Sequence, residues 1–360
     1  MKILHVSFFS EFSPSSGGKV CSMRNLHALQ ELYGESNVIA YCVERDRKSD
    51  GNPFLWSVIQ LYSDIRNRYI CGMSNNHLAK ILAIIKKENI TTVFLCSSLF
   101  GQFAKRIKQQ YHNVKIVSYF HNVEYFFFKQ LVRHDMSIKN IYRPCIAKYN
   151  EKLTIKYSNT IICINERDAQ MVNEIYHRKP DDVVSISIAD SFEEYEPHAI
   201  RKPFNLLFVG SYFYPNIEAV TFLEDKVLPY VDANLSIVGS GMDKLKTKSK
   251  NTRVFSNVPS LTPFYQKADA VILPIFSGSG MKIKTCEAMM YGKIIFGTKE
   301  AFMGYNIDCR FAIECNDAES FIEAINNNRF KYNFSDASRE CFLINHSLES
   351  SFLKLKKLIG

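Results

Sequence analysis

Leu273-Pro274-Ile275-Phe276-Ser277-Gly278-Ser279-Gly280-Met281-Lys282-Ile283-Lys284-Thr285-Cys286-Glu287-Ala288-Met289-Met290-Tyr291-Gly292-Lys293-Ile294-Ile295-Phe296-Gly297-Thr298 reads as a strand, a glycine turn, a helix and a second strand. The first strand ends at Pro274, the Gly-Ser-Gly loop turns the chain, and a helix starts near Met281. Both strands are apolar on both faces. Strands of that kind separated by helices predict a parallel sheet covered on each side, an α/β architecture.

The same alternation extends in both directions. Downstream of residue 204 the strand-like runs are Asn205–Val209, Leu235–Val238, Arg253–Phe255, Ala270–Leu273, Ile294–Gly297 and Phe311–Ile313. Upstream they are Ile3–Ser7, Val38–Val43, Thr92–Cys96, Val114–Ser118, Thr160–Ile164 and Val183–Ile188, with helix-period segments such as Val20–Leu32, His77–Lys87 and Met136–Tyr157 between them. The pattern lapses in an acidic, proline-bearing stretch around Asp190–Pro197. The expected organisation is therefore a doubly wound, Rossmann-like domain over 1–190, a linker over 191–204 and a second such domain over 205–335. Helices over 336–360 are expected to pack back toward the first. A chain of 360 residues is long enough for two cores. Ligands of such sheets sit at the carboxyl ends of the strands, so an enzyme with a cleft is expected.

Composition narrows the classes. No segment approaches the roughly 20 apolar residues that span a bilayer. The first strand carries His5 and is followed by Glu11, unlike a signal sequence. Ten cysteines stand singly with no Cys-x-x-Cys pair, which argues against a metal clip or redox motif and for a reducing, cytoplasmic setting. Residues 1–190 hold 25 Lys and Arg against 17 Asp and Glu, a charge of +8, while the remainder holds 20 against 19, or +1. A basic first half suits an anionic partner or an ordinary solvated surface. The patch best suited to a weak, peripheral anionic membrane contact is Gln102–Lys115, where Lys105, Arg106, Lys108 and Lys115 lie among Phe103, Ile107 and Tyr111.

Three glycine turns follow strands. Gly17-Gly18 opens a helix and could meet an anion or a sugar, or simply turn the chain. Val238-Gly239-Ser240-Gly241 begins like a dinucleotide fingerprint, but Lys244 stands where the third glycine belongs, so it reads as a structural turn. The loop at Gly278–Gly280 is the informative one. Free N–H groups and the positive helix end behind it form a diphosphate cradle. Lys284 lies in the first turn and can reach the same phosphates. Glu287, three residues on, shares that face and can accept two vicinal ribose hydroxyls. The plainer alternative is a surface i,i+3 ion pair.

These residues carry a resemblance. Phe208-Val209-Gly210-Ser211, Pro215-Asn216-Ile217, Ile237–Gly241, Asp269–Pro274 and the Gly278–Gly292 block resemble the C-terminal domain of the GT-B glycosyltransferases, most of all the retaining family 4. Gly17-Gly18 and Phe120-His121-Asn122-Val123-Glu124 match its first domain. The resemblance implies two Rossmann-like domains and transfer of a sugar, with retention, from a nucleoside diphosphate (UDP or GDP) to a hydroxyl of a glycan or lipid-linked glycan. It implies that Glu287 holds the ribose, that Lys284 acts at the diphosphate and that His121 lies near the transferred sugar. It further implies that Gly17, Gly18, Gly210, Val258, Ser279, Gly280, Met281 and Lys282 line the donor. Ser279 stands where the family has a first glutamate that contacts sugar hydroxyls, and no Lys or Arg lies in Gly210–Tyr214. Positive charge at the diphosphate must therefore come from Lys282 or Lys284. No Asp-x-Asp metal motif occurs, so no metal is expected.

Two other readings compete. A nucleotide-sugar 2-epimerase shares the architecture but needs acid/base carboxylates, which no motif supplies. A basic nucleic-acid-binding protein would use the +8 half, but Lys105–Tyr111 reads better as a solvated helix face.

Overall fold

The computed structural model describes residues 1–10, 17–44, 62, 64–134, 136–277 and 280–360. It divides into two units, Met1–Ser185 with Ser351–Gly360, and Ile186–Ser350. Each is built on a six-stranded parallel sheet flanked by helices, so the expected α/β, doubly wound class holds for both.

In the first unit the strands are β1 (Ile3–Ser7), β2 (Val38–Cys42), β3 (Thr92–Leu95), β4 (Lys115–Phe120), β5 (Thr160–Cys163) and β6 (Asp182–Val183), in the order β2-β1-β3-β4-β5-β6. The chain winds outward from β1 to β2, then returns to β3 on the other side of β1. The switch point thus lies between β1 and β3, paired from Ile3↔Thr92 to Val6↔Leu95. The helices are α1 (Gly17–Tyr33), α2 (Asn75–Lys87), α3 (Gly101–Gln110), α4 (Glu124–His134), α5 (Ile138–Tyr157) and α6 (Glu166–Tyr176). The strand expected over Val183–Ile188 ends at Val183, because side chains claim the carbonyls beyond it. Tyr119 donates to that of Val184 and Arg24 to that of Ser185.

In the second unit β7 (Phe204–Val209), β8 (Ala233–Gly239), β9 (Thr252–Ser256), β10 (Ala270–Leu273), β11 (Ile294–Gly297) and β12 (Ala312–Glu314) are ordered β12-β11-β10-β7-β8-β9. Here the switch point lies between β7 and β10. Its helices are α7 (Tyr214–Phe222), α8 (Thr262–Lys267), α9 (Ile283–Met290), α10 (Ala318–Asn326) and α11 (Asp336–Asn345). Strands β10 and β11 are buried at every position, as a parallel sheet covered on both faces requires.

Two stretches differ from their expected places. The acidic segment read as a linker packs onto the second unit: Phe192 and Tyr195 contact Phe334, and Asp190 pairs with Arg339. The structure also places α11 in the second unit, and the chain rejoins the first only from Ser351. There the last helix, α12 (Leu348–Ile359), offers the carbonyls of Leu358 and Ile359 to Lys115 at 3.3 and 2.8 Å. Helix α3 buries Phe103 and Ile107 completely, and Lys108 donates to the Val114 carbonyl. In the Gln102–Lys115 patch Arg106 is exposed and Lys105, Lys108, Tyr111 and Lys115 are half-buried, while Phe103 and Ile107 are withdrawn from the surface. Among the described residues no helix is long and apolar enough to cross a membrane.

Candidate functional site

The second unit places the end of β10 and the start of α9 at its switch point. Leu273 ends β10, the chain turns, and Gly280 adopts the left-handed conformation (φ +64°), which costs glycine little. Ser279 lies outside the described residues. Lys282 is the extended residue before α9, and no side chain caps the helix. The Thr285 N–H is taken by the Lys282 carbonyl at 2.9 Å, so the N–H groups that an anion could meet are those of Ile283 and Lys284. The helix start is anchored by Thr285, whose hydroxyl donates to the Ala301 carbonyl at 2.7 Å. Met281 is buried at the turn.

Lys284 and Glu287 share the face of α9, but among the described residues no ion pair joins them. The Lys284 Nζ donates to Asn216 Oδ1 at 2.6 Å and lies 4.5 Å from the centre of the Phe208 ring. Burial lowers its pKa to about 7, against a partial restoring pull from Glu287. Glu287 accepts a 3.2 Å hydrogen bond from the Tyr265 hydroxyl. Burial raises its carboxyl above the usual range, while Tyr265 and Lys284 pull it back. Tyr265 is itself fully buried and stacks on Tyr291 at 4.5 Å. Lys282 turns instead to Glu300, 2.7 Å away. Of the two lysines expected at the diphosphate, Lys284 is the one held without a carboxylate against it.

Gly210 follows β7, packed against Asn216. A side chain there would meet the Asn216 amide at 2.8 Å. Val258 lies half-buried in the loop after β9. The unit also carries a cavity of about 670 Å³ over Asn205, Ser236, Arg253, Phe255 and Phe264. None of the expected donor residues lines it, and its lining starts from the opening residues of β7 rather than the carboxyl ends, so the chemistry is sought at the glycine loop.

In the first unit, Gly17 opens α1, and a side chain at Gly18 would press on the Phe9 ring at 2.7 Å. His121 follows β4 and is buried. Its Nε2 donates to the Cys96 carbonyl at 2.8 Å, while Nδ1 is buried without a partner. Burial lowers its pKa to about 4, so the ring is neutral at pH 7, with Nδ1 an acceptor awaiting a donor. A ligand hydroxyl could satisfy it. Replacing His121 by Ala is expected to depress turnover at least tenfold and leave affinity for the free nucleoside diphosphate unchanged. Equal turnover would remove the role, and loss of the folded state without a kinetic effect in the survivors would make His121 structural.

Glu151 on α5 is fully buried beside His121's loop. It accepts from the N–H groups of Glu124 and Tyr125 at the start of α4, from Ser98 and from Tyr176. Burial raises Glu124 and Glu151 alike to about 7, and the neighbouring Glu151 carboxylate raises Glu124 further.

Residues 203–328 match the family model described as glycosyl transferases, group 1. The lipopolysaccharide outer core galactosyltransferase WaaB superposes over 100% of this chain and 99% of its own, with a TM-score of 0.69 and 15% identity. The chain has the GT-B fold. HepE of Anabaena in complex with UDP-glucose aligns over 100% and 99% (TM-score 0.66, 10% identity). A TarM variant of S. aureus, in complex with fondaparinux, alpha-GlcNAc-glycerol and UDP, aligns over the whole of both chains (TM-score 0.63, 11% identity). No curated protein sequence matches. The resemblance to GT-B glycosyltransferases read from the sequence is borne out by this fold and by the group 1 match.

Asn216 and Tyr265 are the contacts that sequence reasoning missed. Asn216 stood in a resembling motif without a role, and Tyr265 lies in no motif at all.

Proposed function

We propose that the chain transfers a hexosyl unit from a UDP-linked donor to a hydroxyl of a glycan or lipid-linked glycan, with retention and without a metal. The observation that carries this is the Lys284–Glu287 face of α9, directly behind the glycine loop at the switch point of the second unit. UDP is favoured over GDP because HepE and TarM are seen with UDP or UDP-glucose.

In this reading the bond between the anomeric carbon and the phosphate oxygen breaks, and the electron pair leaves on the diphosphate. The growing charge meets the Lys284 ammonium and the free N–H groups of α9, already in place before the reaction. Glu287 holds the ribose hydroxyls, and His121 accepts a hydrogen bond from the sugar through Nδ1. The acceptor oxygen bonds to the anomeric carbon on the face the diphosphate leaves, and its proton passes to the departing phosphate. Contact with an anionic membrane at the inner face rests on the +8 of residues 1–190 alone.

A screen of nucleoside diphosphates by thermal denaturation tests the donor. UDP at 100 times its Kd is expected to stabilise the protein by about 2.7 kcal/mol, with GDP, ADP and TDP giving little. Turnover unchanged by EDTA is expected. A protein stabilised by none of the four would end the reading.

The 2-epimerase reading gains one observation, the Glu124–Glu151 pair titrating near neutrality. A UDP-N-acetylhexosamine incubated without acceptor separates the two. The glycosyltransferase leaves the donor intact or hydrolyses it slowly, whereas an epimerase yields the 2-epimer.

A further inference from the structure

The ammonium of Lys284 faces no carboxylate at ion-pair distance among the described residues, and its hydrogen-bond acceptor is the neutral amide of Asn216. That amide is fixed on several sides. Asn216 is 9% exposed, its Nδ2 donates to the Ser211 carbonyl at 2.8 Å, and this bond turns Oδ1 toward Lys284. Its carboxamide fills the space that Gly210 leaves by having no side chain. Gly239 in turn lies against the Gly210 backbone, where a Cβ on Gly239 would come within 2.0 Å of the Gly210 carbonyl oxygen. The glycine at 210 thus makes room for the Asn216 carboxamide.

A neutral acceptor suits this place. It orients the Lys284 amine through one hydrogen bond and sets no opposing charge against an arriving anion. The contrast is Lys282, two residues earlier, whose charge is already answered by Glu300. A carboxylate at position 216 would do the same to Lys284 and would repel the phosphates besides.

We propose that Asn216 is a positioning residue of the diphosphate site, holding the Lys284 ammonium beside the Phe208 ring and ready for the donor phosphates. The proposal rests on the reading of α9 as the donor helix. It has a consequence for protons. With its pKa near 7, Lys284 is partly neutral in the empty protein, and the charged groups acting on it are Glu287, which favours the cation, and Lys282, which opposes it. An arriving diphosphate favours the cation, so binding takes up a proton.

The test is UDP affinity by calorimetry over a pH series spanning about 6 to 9, for the native chain, Asn216→Ala, Asn216→Asp, Lys284→Ala, Glu287→Ala and the Asn216→Ala/Lys284→Ala double variant. Asn216→Ala is expected to weaken UDP about tenfold, and the double variant to bind no more weakly than Lys284→Ala. In Asn216→Asp, close to isosteric and expected to fold, affinity falls and its pH dependence moves to higher pH, because the new carboxylate raises the lysine. Native affinity in Asn216→Ala, or additive losses in the double variant, would overturn the proposal while the donor reading stands. Native affinity in both Lys284→Ala and Glu287→Ala would bring down the donor reading and this proposal with it. If Asn216→Ala does not fold, an unchanged pH profile in Asn216→Asp is the overturning result.

Discussion

Lys284→Ala is expected to cut kcat/KM by about two to three powers of ten, the loss typical when one preorganised charge-stabilising group is removed. The loss should fall on kcat more than on affinity for UDP, since charge at the leaving phosphate grows as the bond breaks. Glu287→Ala is expected to behave differently, weakening UDP about tenfold or more through a charge-assisted ribose contact with a smaller effect on kcat. The pH dependence has a definite sign. The bound diphosphate raises the lysine above its free value of about 7, so its contribution to affinity is fully present below pH 7. It is lost as pH rises through the higher bound value. Steady-state kinetics and UDP titration on the two variants check this division. Native kcat/KM in Lys284→Ala would remove the lysine from the reaction.

The second large effect is on stability. Glu151→Ala is expected to destabilise the first unit by about 3–5 kcal/mol, because two N–H groups of α4, the Ser98 hydroxyl and the Tyr176 hydroxyl lose their shared acceptor in the core. The native protein should also lose stability as pH rises from about 4.5 to 7. The folded-state carboxyls of Glu124 and Glu151 are raised to about 7, so the folded protein binds more protons than the unfolded chain in that window. That stabilisation is complete below the unfolded value near 4.5. Urea denaturation at a series of pH values reads both. A denaturation midpoint unchanged in Glu151→Ala would show that water replaces the carboxylate without loss.

The sheets were legible because their strands announce themselves. Runs such as Ala270–Leu273 and Ile294–Gly297 are apolar at every position, which only a strand buried on both faces permits. The acidic stretch at 190–197 was misread from its charges. Its Phe192 and Tyr195 decided its place, by packing on Phe334, and a charge pattern carries no information about a ring 140 residues away. Likewise the Gln102–Lys115 patch looked amphipathic, and its apolar residues turned out to be the core-facing side of α3.

Within the site the division follows from chain continuity. The loop, the first turn of α9, Lys284 and Glu287 lie within ten residues of one another, so helix periodicity alone sets them on one face, and the sequence by itself determined that candidate. Which lysine faces a carboxylate, and what holds each side chain, depends on partners brought by other elements. Strand order places β7 beside β10, and with it Gly210, Asn216 and Phe208 beside α9. Helix α8 brings Tyr265 to Glu287, and Glu300 reaches back to Lys282. Sequence periodicity describes a face of one element and is silent on its neighbours. Only the tertiary structure, by choosing the switch point between β7 and β10, decided that Lys284 meets an amide and Lys282 a carboxylate.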